Sequence, residues 1–72
     1  MRNASITNNI RKLRFNASEM TQQELANKLN VSRQTVIAIE GGKYSPTLEL
    51  AFRIAEVFNV PLEEVFQFHT ST

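Results

Sequence analysis

Three residues, Asn30-Val31-Ser32, separate two segments of helical periodicity, and so short a link restricts how the two helices can meet. Upstream, Thr21-Gln22-Gln23-Glu24 fits a capping box, with Thr21 as N-cap and Glu24 at the third helical position. Leu25, Ala26 and Leu29 form the inner face of that helix, and Asn30 suits a left-handed stop. Downstream, Ser32 is a good N-cap for a helix reaching Glu40, with Val36 and Ile39 facing inward and Gly41-Gly42 ending it. A three-residue link cannot lay the two helices antiparallel in full contact; it favours a steep crossing. Each apolar choice then has a mechanical reason. Ala26 keeps the close approach small, Val31 plugs the turn, and Leu25, Val36 and Ile39 complete the wedge.

The flanks read as further helices. The first is expected over Ser5 to Phe15, with Ile6, Ile10 and Leu13 in one stripe and Asn3 or Ser5 as cap; Asn16-Ala17-Ser18 is a loop. After the loop Tyr44-Ser45-Pro46, Thr47 or Ser45 caps a fourth helix reaching Phe58, with Leu48, Ala51, Ile54, Ala55 and Phe58 as its inner stripe. Asn59 is a second left-handed stop, and Pro61 opens a short fifth helix, Leu62 to Phe66. Residues 67–72 are polar apart from Phe68 and read as a frayed tail, with His69 solvated. The expected fold is all-α: a compact bundle of four to five short helices forming one domain over 1–72, ordered from about 5 to 67. The compact set of helices ending near Phe66 argues for a complete domain.

Composition narrows the chemistry. The chain has no cysteine, no aspartate and one histidine, so disulfides and thiolate sites are excluded and neither a metal nor a cofactor is expected. No nucleophile–base pair, paired carboxylates or phosphate loop is visible, and the chain is not expected to be an enzyme. No apolar run approaches the ~18 residues of a membrane span, and Met1 to Ile10 lacks the apolar stretch of a signal peptide. A cytoplasmic protein without a membrane partner is therefore expected, and no small-molecule ligand is evident. Charge is uneven: residues 1–43 hold seven Lys or Arg against three Glu, a net +4, whereas residues 44–72 hold one Arg against four Glu, a net −3. That suits one basic face meeting a polyanion.

The elements TQQELA, VSRQTV and IEGGKYSP, in that order and spacing, resemble the phage-repressor (Cro/Xre-like) helix-turn-helix family. With IRKLR as first helix, the resemblance covers nearly the whole chain. It implies a lambda-repressor-like fold of four to five helices with the third in the major groove of double-stranded DNA. It also implies a prokaryotic or phage-encoded transcription regulator, a repressor that binds a short palindromic operator as a homodimer held through the C-terminal half. There, five phenylalanines and neighbouring apolar residues exceed what one inner stripe needs. Two departures stand out: Asn30 replaces the usual turn glycine, and Ile37-Ala38 occupies positions where polar, base-reading residues are common.

Carried over residue by residue, the resemblance assigns base contact to Arg33 and Gln34 in the first turn of the third helix. Arg suits guanine O6 and N7, and Gln suits adenine N6 and N7. Thr35 is assigned a hydroxyl or methyl contact, and Ala38 a contact with a thymine methyl. Phosphate contact falls to Gln22, Gln23 and Ser32 at helix N-termini, and to Lys43, Tyr44 and Ser45 in the loop after the third helix. Arg14 and Glu40 are assigned a structural salt bridge, and Arg11, Lys12 and Lys28 only long-range attraction. The competing assignment is a protein-interaction module on the same fold, such as an antitoxin or a polymerase adaptor, which the acidic, phenylalanine-rich second half favours.

Overall fold

A computed structural model describes residues 3–71; Arg2 and the two extreme ends of the expected 1–72 domain lie outside the described residues. The elements are β1 (Asn3–Asn8), α1 (Ile10–Asn16), α2 (Gln22–Leu29), α3 (Arg33–Glu40), α4 (Leu48–Phe58), α5 (Leu62–Val65) and β2 (Phe66–Ser71).

The caps form as their chemistry requires. The Thr21 backbone N–H donates to Glu24 Oε1 at 2.8 Å, and the Glu24 N–H donates to Thr21 Oγ1 at 3.0 Å, closing the capping box. Ser32 Oγ accepts from the Thr35 N–H at 3.2 Å, and Thr47, rather than Ser45, caps α4 by accepting from the Leu50 N–H at 3.2 Å. Asn30 (φ 58°) and Asn59 (φ 56°) both end their helices in the left-handed conformation, which asparagine tolerates better than most residues. Gly42 (φ 76°) does the same just beyond α3, where a side chain would be strained.

Ile10, Leu25, Ala26, Leu29, Val36, Ile39, Ile54, Ala55 and Val65 form the buried core, with contributions from all five helices. Each fully buried Leu or Ile contributes about 1.5–3 kcal/mol by leaving water. Ala26 is fully buried where α2 packs on α3, so a longer side chain there would overpack the crossing.

The chain is not all-α. β1 and β2 pair as an antiparallel ribbon, Asn3 opposite Ser71 through Asn8 opposite Phe66, so the first and last described segments lie side by side. The first helix therefore starts at Ile10 rather than Ser5, and neither Asn3 nor Ser5 caps it; Asn8 Oδ1 accepts from the Ile10 N–H instead, at 3.1 Å. Ile6 leaves the expected stripe with Ile10 and Leu13 and is exposed in the strand. The frayed tail is likewise replaced by β2, α5 stops at Val65 rather than Phe66, and His69 pairs with Thr7 across the ribbon, Nε2 to Oγ1 at 2.9 Å. The physical reason is alternation. Ser5-Ile6-Thr7 and Gln67-Phe68-His69 each switch between polar and apolar at period two, and β-branched and aromatic residues suit a pleated surface. One further expectation fails: Leu48 is 69% exposed and leaves the inner stripe of α4, while Ala51, Ile54 and Ala55 keep it and Phe58 is half-buried.

Candidate nucleic-acid interface

The outer surface of α3 follows from what its inner surface must do. Val36 and Ile39 are buried, and Thr35, Ala38 and Glu40 are half-buried beside them. The open stripe is therefore Arg33, Gln34 and Ile37, running into Gly41 after the helix. Residues one and four apart share a face, so these side chains project together. Arg33 and Gln34 stand where expected. Ile37, 36% exposed, was not among the expected contact residues, whereas Ala38, which was, sits on the half-buried flank. Helical spacing alone, four residues on from Arg33, would have found Ile37.

The residues around α3 divide by how far they are already engaged. Ser32 and Thr35 hold each other, Oγ to Oγ1 at 3.0 Å, in addition to the cap. The Gln23 amide donates to Asn27 Oδ1 at 2.9 Å, along its own helix. Gln22, at the first position of α2, reaches Glu40 Oε1 at 3.4 Å and so touches α3. Gln22, Gln23, Arg11 and Arg33 all line one shallow polar hollow that crosses α1, α2 and α3. Arg11, expected to act only at long range, thus stands beside the expected contact residues.

The orientation of α3 is fixed by Arg14. Its Nε donates to Glu40 Oε2 at 2.9 Å and its Nη2 to Glu40 Oε1 at 2.8 Å, a two-pronged ion pair, while Nη1 donates to the Met20 carbonyl at 2.8 Å. One guanidinium thereby joins α1, the loop before α2, and the last turn of α3. Glu40 is thus neutralised inside the hollow. Arg14–Glu40 is the one ion pair within 4 Å among the described residues, so the charges of Arg11 and Arg33 remain uncompensated on this side.

After α3 the chain turns sharply, with the Lys43 N–H donating to the Ala38 carbonyl at 2.9 Å and the Gly42 N–H to the Ile39 carbonyl at 3.0 Å. Lys43 is exposed. Tyr44 and Ser45 border an apolar groove whose opposite wall is Ile6 and Phe66. The loop thus has a basic start beside α3 and an apolar continuation beside the ribbon. No group of His, Cys, Asp and Glu suited to a metal occurs among the described residues, and no helix there is long and apolar enough to cross a membrane.

Comparison with known proteins fits this geometry. A helix-turn-helix family model matches residues 10–65, from the start of α1 to the end of α5. An uncharacterised helix-turn-helix-type transcriptional regulator of Methanocaldococcus jannaschii is 62% identical over 47 residues, which are 65% of this chain and 71% of that protein. The cryptic phage CTXphi transcriptional repressor RstR of Vibrio cholerae is 36% identical over 47 residues, 65% of this chain but 42% of RstR. A crystal structure of a candidate DNA-binding protein from Bacteroides fragilis superposes with a TM-score of 0.75 at 22% identity, covering 86% of this chain and 98% of that one, a likeness of fold. With a capped α2, a left-handed turn at Asn30, and an α3 locked by Arg14 to Glu40, this chain belongs to the Cro-like helix-turn-helix family.

Proposed function

We propose that this chain is a sequence-specific regulator of transcription, a repressor that seats α3 in the major groove of double-stranded DNA and pairs with a second copy on a short palindromic operator. The observation that carries this reading is the open stripe of α3: Arg33, Gln34 and Ile37 side by side, with no acidic residue among them. Arg33 and Gln34 at the N-terminal end have the donors for guanine and adenine edges, and Ile37 supplies an apolar surface for a thymine methyl. Thr35 and Ala38 flank that stripe and contribute at its margin. Gln22, Gln23, Ser32, Lys43, Tyr44 and Ser45 surround it as candidate phosphate contacts, with backbone N–H groups at the starts of α2 and α3. The relatives named as transcriptional regulators support the same reading.

The test is selection of random duplex DNA by the purified chain, followed by sequencing of the enriched pool. The reading expects an enriched palindrome whose half-site changes when Arg33 is replaced. No enrichment by a chain shown to be folded overturns it and favours the protein-interaction module, for which the exposed apolar side chains Leu48, Phe52 and Phe68 are the motivating observation.

A further inference from the structure

The ribbon has two unlike faces. Side chains opposite one another in an antiparallel pair share a face. Ser5, Thr7, Gln67 and His69 therefore make a polar face, whereas Ile6 opposite Phe68 and Asn8 opposite Phe66 make the other. The root of this second face, Asn8 and Phe66, is half-buried against the helices. Farther out it is bare: Ile6 is 55% exposed and Phe68 is 66% exposed. Beside it, Ile6 and Phe66 face Tyr44, Pro46 and Leu48 across a groove of about 360 Å³. The ribbon helps give the molecule its length, 39 Å against 21 and 19 Å in the other directions. A two-stranded ribbon is marginal on its own and needs its apolar face covered.

We infer that this face is a self-association surface, and that its occupant is a second copy of this chain. Two observations select that occupant. The surface carries no Lys, Arg, Asp or Glu, in a chain with fifteen such residues. A charged partner would find no counter-charge on it, whereas the same uncharged surface matches it. The surface also holds its own complement, because projecting side chains (Ile6 and Phe68) stand beside a hollow bounded by Tyr44 and Leu48. A two-fold axis brings the projection of each copy to the hollow of the other, the self-matching geometry of a symmetric dimer. The inference rests on the pairing of copies proposed above and relocates it. Half of the surface comes from the N-terminal strand, and Phe52 of α4, also exposed, lies outside the groove.

Sedimentation velocity over a concentration series tests this on the full chain. Wild type is expected to shift from monomer to dimer with rising concentration. Phe68→Glu and Ile6→Glu, checked for helical content by circular dichroism, are expected to raise the dissociation constant at least ten-fold, and Phe52→Glu to leave it unchanged. Two variants guard against one failing to fold. A dimer that tolerates Phe68→Glu, or one that Phe52→Glu abolishes, overturns the surface. Wild type that stays monomeric throughout overturns it as well. Neither result touches the DNA reading, because a monomer that still enriches a single half-site keeps α3 as the reader and sinks only the pairing.

Discussion

Arg14 grips both carboxylate oxygens of Glu40, at 2.9 and 2.8 Å, with the two side chains only 14% and 13% exposed. The pair sets the pitch of α3 from outside the apolar core, because its third contact, to the Met20 carbonyl, anchors it on the chain entering α2. Removing one partner strands the other away from water, so Arg14→Ala is expected to destabilise the fold by about 3 kcal/mol. Arg14→Lys is expected to recover little of this, since an ammonium cannot make the two-pronged contact. Urea denaturation followed by circular dichroism measures both.

Arg33 and Ile37 share the open stripe of α3 but call for different chemistry. Arg33→Ala is expected to weaken specific binding by about 1–3 kcal/mol and relax one base position. Ile37→Gln is expected to alter a neighbouring position while leaving folding intact, because the side chain is outside the core. Repeating the DNA selection with each variant decides the matter; an unchanged preference in either removes that residue from the readout.

Lys43 stands exposed at the end of α3 and is expected to meet a phosphate. Lys43→Ala should weaken binding to specific and unrelated duplexes alike and lower the slope of log affinity against log salt by about one. A titration over several salt concentrations gives the slope, and an unaltered one argues against the contact.

Asn30 holds the turn between α2 and α3 at φ 58°. Asn30→Val forces a β-branched residue into the left-handed region and is expected to cost at least about 1–2 kcal/mol. Asn30→Gly should be tolerated, since glycine reaches that conformation freely. Thermal melts of the two variants compare the turn directly.

The Glu24 carboxyl titrates below its ordinary range, chiefly because the Thr21 backbone N–H donates to it, then because of the Thr21 side chain, with Lys28 adding a smaller attraction against weak desolvation. A carboxylate whose folded pKa is lowered stabilises the fold above its unfolded pKa, and that stability is lost as pH falls through the folded value. Glu24→Gln should therefore flatten the acid limb of the stability profile below about pH 4.5, the ordinary carboxylate value. Glu24 is solvent-facing, so the change is expected to be small. Denaturation midpoints from pH 7 down to pH 3 provide the check.

The helices were legible where a local hydrogen bond decides them. Thr21, Ser32 and Thr47 are short polar side chains next to orphan backbone N–H groups, and Asn30 and Asn59 sit where a left-handed residue ends a helix. The ribbon was not legible, because its partners are more than sixty residues apart at its outer end and no local signal names them. The alternation of Ser5-Ile6-Thr7 was visible, but Ile6, Ile10 and Leu13 also fit a helical period, and only the pairing with Phe68 separates the two readings. In the candidate interface, residue type pointed to Arg33 and Gln34, whereas Ile37 emerged only once the burial of Val36 and Ile39 fixed which side of α3 is open.

The Asn8 side chain donates to the carbonyls of Ile39 and Glu40, at 3.2 and 3.3 Å, while its own oxygen receives the first N–H of α1. One residue is therefore at once the root of the ribbon and a clasp on the last turn of α3. If gripping the ribbon biases the pose of α3 through that clasp, thermodynamic linkage makes the influence mutual. Whatever factor joining two copies adds to the affinity of α3 for its ligand, the ligand returns to the affinity of the copies for each other. Asn8 is then where the two equilibria share a part. Severing it would leave two working halves, each deaf to the other.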